Sequence, residues 1–72
     1  MTVEQLRQAS RAEPFVPFVV ALADGRRLSI PHPECILIPP GTGRTFVVAE
    51  RGEDYCIIDL LRVISIEFLS QA

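Results

Sequence analysis

PFVPFVVALADGRRLSI, residues 14–30, sets two runs of alternating apolar residues on either side of Asp24-Gly25, the pattern of a β-hairpin. Phe18, Val20 and Leu22 share one face of the first strand, which is read as Phe15 to Leu22. Leu28 and Ile30 share a face of the second, with Arg27 and Ser29 opposite. A two-residue Asp-Gly turn pairs Leu22 with Arg27 and Val20 with Ser29. A three-residue loop, Ala23-Asp24-Gly25, pairs Val20 with Leu28 and Phe18 with Ile30. The second register joins apolar to apolar and puts glycine where a left-handed backbone is needed, so it is the one predicted. Pro17 has no N–H to give a ladder, which marks its end of the strand as an edge or a bulge.

Upstream, Thr2-Val3-Glu4-Gln5 opens a helix. Thr2 caps it, and Gln5 reaches back as in a capping box. Val3, Leu6 and Ala9 or Ser10 form one stripe, and Pro14 ends the helix at the latest. Downstream, Pro31-His32-Pro33 breaks the second strand. Glu34 to Ile38 reads as a third strand, stopped by Pro39-Pro40. Thr45 to Glu50 reads as a fourth and Tyr55 to Ile58 as a fifth. A tight turn at Arg51-Gly52 sets Phe46 opposite Ile57 and Val48 opposite Tyr55, which makes Phe46 and Tyr55 core residues. Asp59-Leu60-Leu61-Arg62 is one helical turn capped by Asp59. Val63 to Leu69 is the last strand, with Ile64, Ile66 and Phe68 inward. The expectation is a mainly-β single domain over residues 1–72: a helix over about 2–12, then a small antiparallel barrel of five or six strands over about 15–70.

Size sharpens the functional question. A 72-residue chain buries only about 60% of its unfolded surface, so its core is marginal unless a disulfide, a metal or self-association supports it. The sequence is 49% hydrophobic, with a mean hydropathy of +0.30. That surplus favours a homo-oligomer. The net charge is −2, whereas a nucleic-acid binder usually shows a basic patch; all seven basic residues are Arg, which leaves a local Arg cluster open despite the negative total. No secretory signal and no membrane-length apolar run is present, so the expected location is cytoplasmic, with no membrane partner and with Cys35 and Cys56 reduced.

Candidate chemistry is sparse. His32 and Cys35 stand at H-x-x-C spacing, and Glu34 or Asp59 would have to complete a metal set. Both cysteines read better as small hydrophobes within apolar strands. Neither has the orienting partner a thiol nucleophile needs. Short turns also leave little room for a pocket of several hundred Å³. Gly41-Thr42-Gly43-Arg44 lacks the length and the Lys of a phosphate loop. No catalytic residue, cofactor or metal ligand is therefore assigned, and the chain is expected not to be an enzyme. Arg26, Arg27, Arg44 and Arg51 lie at strand ends or turns, where together they would grip phosphate as an alternative role. Val19, Ala21, Val47, Ala49 and Val63 alternate with the core positions and are expected to face outward. Val19, Ala21, Val47 and Ala49 are the candidate interaction surface, to be covered by a second copy or a protein partner through face packing or strand addition.

The segments PFVPF at 14–18, LADGR at 22–26, PHPE at 31–34 and IDLLRVISIE at 58–67 resemble a set of very short bacterial proteins with no assigned activity, over nearly the whole chain. The strand–DGR–strand opening and the helical turn before the final strand also resemble Sm-like and SH3-like small barrels. That second resemblance implies an Sm-like or SH3-like fold and, for the Sm-like case, RNA binding. Pro31-His32-Pro33-Glu34 stands where the acidic-plus-asparagine signature of the first Sm motif would be. Only Arg51-Gly52 matches the second.

Overall fold

The hairpin that the opening segment predicts supplies the central strand and one edge strand of one of two sheets. The computed structural model describes residues 2–41, 43–50 and 54–69. Helix α1 (Val3–Arg11) is followed by β1 (Phe18–Leu22), β2 (Arg27–Ile30), a 3-10 turn (Pro33–Cys35), β3 (Ile36–Leu37), β4 (Thr45–Ala49), β5 (Tyr55–Asp59), a second 3-10 turn (Leu60–Arg62) and β6 (Val63–Phe68). The strands form two three-stranded antiparallel sheets, ordered β2-β1-β6 and β3-β4-β5. Among the described residues no ladder joins them, so the closed barrel is the point where the expectation is not met. Pro31 and Pro33 supply the reason. Neither can donate to a ladder, and together they interrupt the strand that would otherwise run from one sheet into the other.

The hairpin has the three-residue loop: Val20 pairs with Leu28 and Phe18 with Ile30. Gly25 has φ +94°, a left-handed conformation that side chains with a Cβ resist. Gly25 N–H donates to the Leu22 carbonyl at 3.0 Å, and Leu22 N–H to the Arg26 carbonyl at 2.9 Å. Strand β1 begins at Phe18, three residues later than the sequence reading, because Pro14 and Pro17 both precede it. The carbonyl of Pro17 still accepts from Leu69 N–H at 2.8 Å.

The helix begins with its capping box. Gln5 N–H donates to Thr2 Oγ1 at 3.2 Å, and Thr2 N–H to Gln5 Oε1 at 2.9 Å. Leu6 and Ala9 are buried, which adds the helix to the core. A second tie comes from Arg7, whose side chain is only 14% exposed. Its Nη2 donates to the carbonyls of Pro39 and Gly41, both at 3.2 Å, and its Nη1 to the Glu4 carboxylate. One guanidinium thus fastens α1 to the segment before β4. Arg7→Ala should lower stability by about 1–2 kcal/mol, the net worth of charge-assisted hydrogen bonds in a partly buried site. Urea denaturation measures this, and an unchanged midpoint would mean that the tie carries no load.

The core comprises Leu6, Ala9, Phe18, Val20, Leu22, Leu28, Ile30, Ile36, Phe46, Val48, Ile58 and Val63. Three details correct the sequence reading. The third strand, expected over Glu34 to Ile38, is a 3-10 turn followed by two paired residues. Pro33 presets the helical φ of the turn, and Cys35 N–H donates to the His32 carbonyl at 3.1 Å. The β4–β5 register is slipped by one from the expected pairing: Phe46 faces Ile58, Val47 faces Ile57, Val48 faces Cys56 and Ala49 faces Tyr55. Glu50 N–H closes the connection by donating to the Asp54 carbonyl at 2.8 Å. The expected Arg51-Gly52 turn lies outside the described residues. A one-residue slip exchanges the faces of a strand, so Tyr55 and Ile57 are outside. Finally, the β1–β6 register shifts between Ala21 and Leu22, a bulge that turns Val63 inward and Ile64 outward. Val63 is buried while Ile64 is 66% exposed, the reverse of the expected parity. Ile66 and Phe68 keep the inward parity, the first half-buried and the second largely exposed at the strand end.

Candidate interaction surface

The two outward faces differ in character. On the first sheet, Val19 and Ala21 stand on the central strand and are half-buried. Ala21 pairs with Arg27 on β2, and Val19 with Glu67 on β6. Arg27 reaches diagonally across β1 to Glu67, with Nη2 to Oε1 at 2.6 Å and Nη1 to Oε2 at 3.2 Å. This bidentate pair spans the small apolar residues of β1, and the Arg27 stem adds cover. The bridge holds the Glu67 carboxyl below its ordinary range and raises the Arg27 guanidinium. The pair thus covers Val19 and Ala21, while Ile64 at the β6 bulge is 66% exposed.

The second sheet has no such cover among the described residues. Leu37, Val47 and Ile57 form a single cross-strand row, since Leu37 pairs with Val47 and Val47 with Ile57. Ala49 and Tyr55 form the next row. Leu37 is 63% exposed, Ile57 67% and Tyr55 68%, while Val47 is half-buried and Ala49 exposed. Val47 and Ala49 are the expected surface residues. Leu37, Tyr55 and Ile57 were not recognised as part of it; the expected register placed the last two inside. Ordered charges sit at one end, where Arg44 Nη2 approaches Asp59 Oδ2 at 3.6 Å and Asp59 Oδ1 accepts from Leu61 N–H at 2.9 Å.

Among the described residues, the arginines of the alternative reading are each engaged with a different carboxylate. Arg26 Nε donates to Asp24 Oδ2 at 2.9 Å, and this partner depresses the Asp24 carboxyl, the largest cause being the Arg26 backbone N–H. Arg27 is held by Glu67 and Arg44 faces Asp59, so three of the four have a carboxylate partner. Arg51 lies outside the described residues. His32 is exposed and caps the first 3-10 turn through its backbone. Cys35 and Cys56 are half-buried against the core. Burial raises the Cys56 thiol, with Glu50 adding to the effect. Among the described residues no group of three or more His, Cys, Asp or Glu side chains converges on one point. No helix among them is long and apolar enough to cross a membrane.

Two open clefts are larger than the short turns led us to expect. One, of about 440 Å³, lies between the β2 edge and the end of β4 and includes Ser29, Pro31, Cys35 and Glu50 in its lining. The other, of about 380 Å³, lies between α1 and β6, with Gln5, Gln8, Ile66 and Phe68 among its walls. Polar and ionisable side chains in the first are Arg27, Ser29, Cys35 and Glu50, and in the second Gln5 and Gln8. Comparison with family models, with curated proteins and with solved structures finds no match for this chain.

Proposed function

We propose that this chain is a non-enzymatic interaction module that self-associates, through apolar surface and exposed strand edges, in the cytoplasm. The observation that carries the reading is the outward face of the second sheet, where five neighbouring positions are apolar or aromatic. Large exposed apolar patches mark association sites in small soluble domains. The short core argues the same way, since association adds the burial that a chain of this size lacks. A raised Cys56 thiol is protonated at neutral pH and a poor nucleophile, which agrees with a non-catalytic role.

The finer fold assignment belongs with this proposal. A leading helix, an Asp-Gly hairpin and a 3-10 turn before the final strand favour an open relative of the SH3-like and Sm-like barrels. Nucleic-acid binding through Arg26, Arg27, Arg44 and Arg51 has weaker support. Phosphate would have to displace the carboxylates that already hold three of them.

Sedimentation velocity tests the proposal. The 8.0 kDa chain should sediment above its monomer mass at concentrations on the order of 10–100 μM, the range set by an interface near the lower size limit. A monomer throughout that range would exclude it.

A further inference from the structure

Resting on the self-association proposed above, we infer that the partner is a second copy of this chain, docked face to face on the second sheet about a two-fold axis parallel to its strands. The row Leu37–Val47–Ile57 is tall, short, tall: Leu37 and Ile57 are 63% and 67% exposed on the outer strands, and Val47 between them is half-buried. Ala49 and Tyr55 repeat the small–large pairing one row on. A two-fold axis running midway between β4 and β5 exchanges the positions of those strands across the interface. Ile57 then lies over Val47 of the second copy, and Tyr55 over its Ala49. Ile57 and Tyr55 each meet a smaller side chain, in both directions at once, as an isologous interface requires. Leu37 of the second copy closes the outer flank of Ile57.

Area and charge are compatible with a second copy. With Leu37, Tyr55 and Ile57 63%, 68% and 67% exposed, the five residues present on the order of 500 Å² per copy, so a pair that covered them fully would bury at most about 1,000 Å², the floor for a specific interface. None of the five is charged, so this face offers nothing to phosphate or to a charged peptide. The net charge of −2 per copy opposes pairing only weakly at physiological salt. The Tyr55 hydroxyl at the margin can stay hydrated while its ring is covered.

Sedimentation equilibrium of the intact chain and three variants tests the geometry. Ile57→Asp buries an unpaired charge against Val47 and should weaken the dimer at least 100-fold. Ala49→Arg fills the small position beneath Tyr55 and should do the same. It also provides the readout if Ile57→Asp disturbs β5, which circular dichroism would detect. Ile64→Asp, on the other sheet and 66% exposed, should leave the dimer constant within threefold. If the unmodified chain dimerises and both face variants dimerise equally well, this interface is wrong while self-association stands. A trimer or an open polymer would also overturn it. If the unmodified chain is monomeric, the parent proposal fails and this geometry with it.

Discussion

Phe18→Ala should leave the chain largely unfolded at 25 °C. Phe18 is fully buried on the central strand of the first sheet, and its ring lies 5.9 Å from both Phe15 and Phe68. Truncating a buried Phe to Ala costs about 3–5 kcal/mol, through lost transfer energy and the cavity left behind. A core in a domain of this size supplies only about 3–5 kcal/mol in total. The two quantities nearly cancel. Far-UV circular dichroism and urea titration should therefore show little or no cooperative transition. A variant that unfolds cooperatively, with a loss under about 1 kcal/mol, would mean that the two sheets are not held by a shared core.

Leu6→Ala should cost about 2–4 kcal/mol and detach α1 from the sheets. Alanine has the highest helix propensity, so intrinsic preference does not explain the loss. The cause is packing. A helix of nine residues is too short to persist by itself in water, and Leu6 and Ala9 are its only fully buried residues. The Arg7 tie to Pro39 and Gly41 remains, but its hydrogen bonds replace no apolar contact. The helical part of the circular dichroism signal should fall before the β signal as urea is added. Simultaneous loss of both, at the midpoint of the unmodified chain, would contradict the anchoring role of Leu6.

These two residues were legible in the sequence, and the reason they were legible is instructive. Around Phe18 the apolar positions alternate strictly, and Asp24-Gly25 permits only one register that matches apolar to apolar. Thr2 and Gln5 mark the helix start by their chemistry, and Asp59 marks the 3-10 turn by the same logic. Where alternation stops, the reading failed. Tyr55, Cys56, Ile57 and Ile58 are all apolar or aromatic, so either face could be buried and pattern gives no parity. Val63 and Ile64 present the same ambiguity, resolved by a bulge that no local residue announces. The consequence for the site is direct. Val47 and Ala49 were identified on β4, where Thr45 and Glu50 bracket the pattern, but their neighbours on β5 were placed on the wrong side. Leu37 was missed because Cys35, Ile36, Leu37 and Ile38 are all apolar, so pattern assigns the strand no outward face.

The difference between the two outward faces is physical as well. Arg27 on β2 and Glu67 on β6 are 40 residues apart in sequence, and only the sheet order brings them together across Val19 and Ala21. The second sheet lacks an equivalent pair over Val47 among the described residues, which is why its apolar rows carry the functional proposal.

The most direct test of that proposal is a concentration series of amide and methyl NMR spectra of the unmodified chain. Shifts that move with concentration should map to Leu37, Val47, Ala49, Tyr55 and Ile57, and those of Val19, Ala21 and Ile64 should stay still. Spectra that do not change with concentration, or changes confined to the first sheet, would contradict the account.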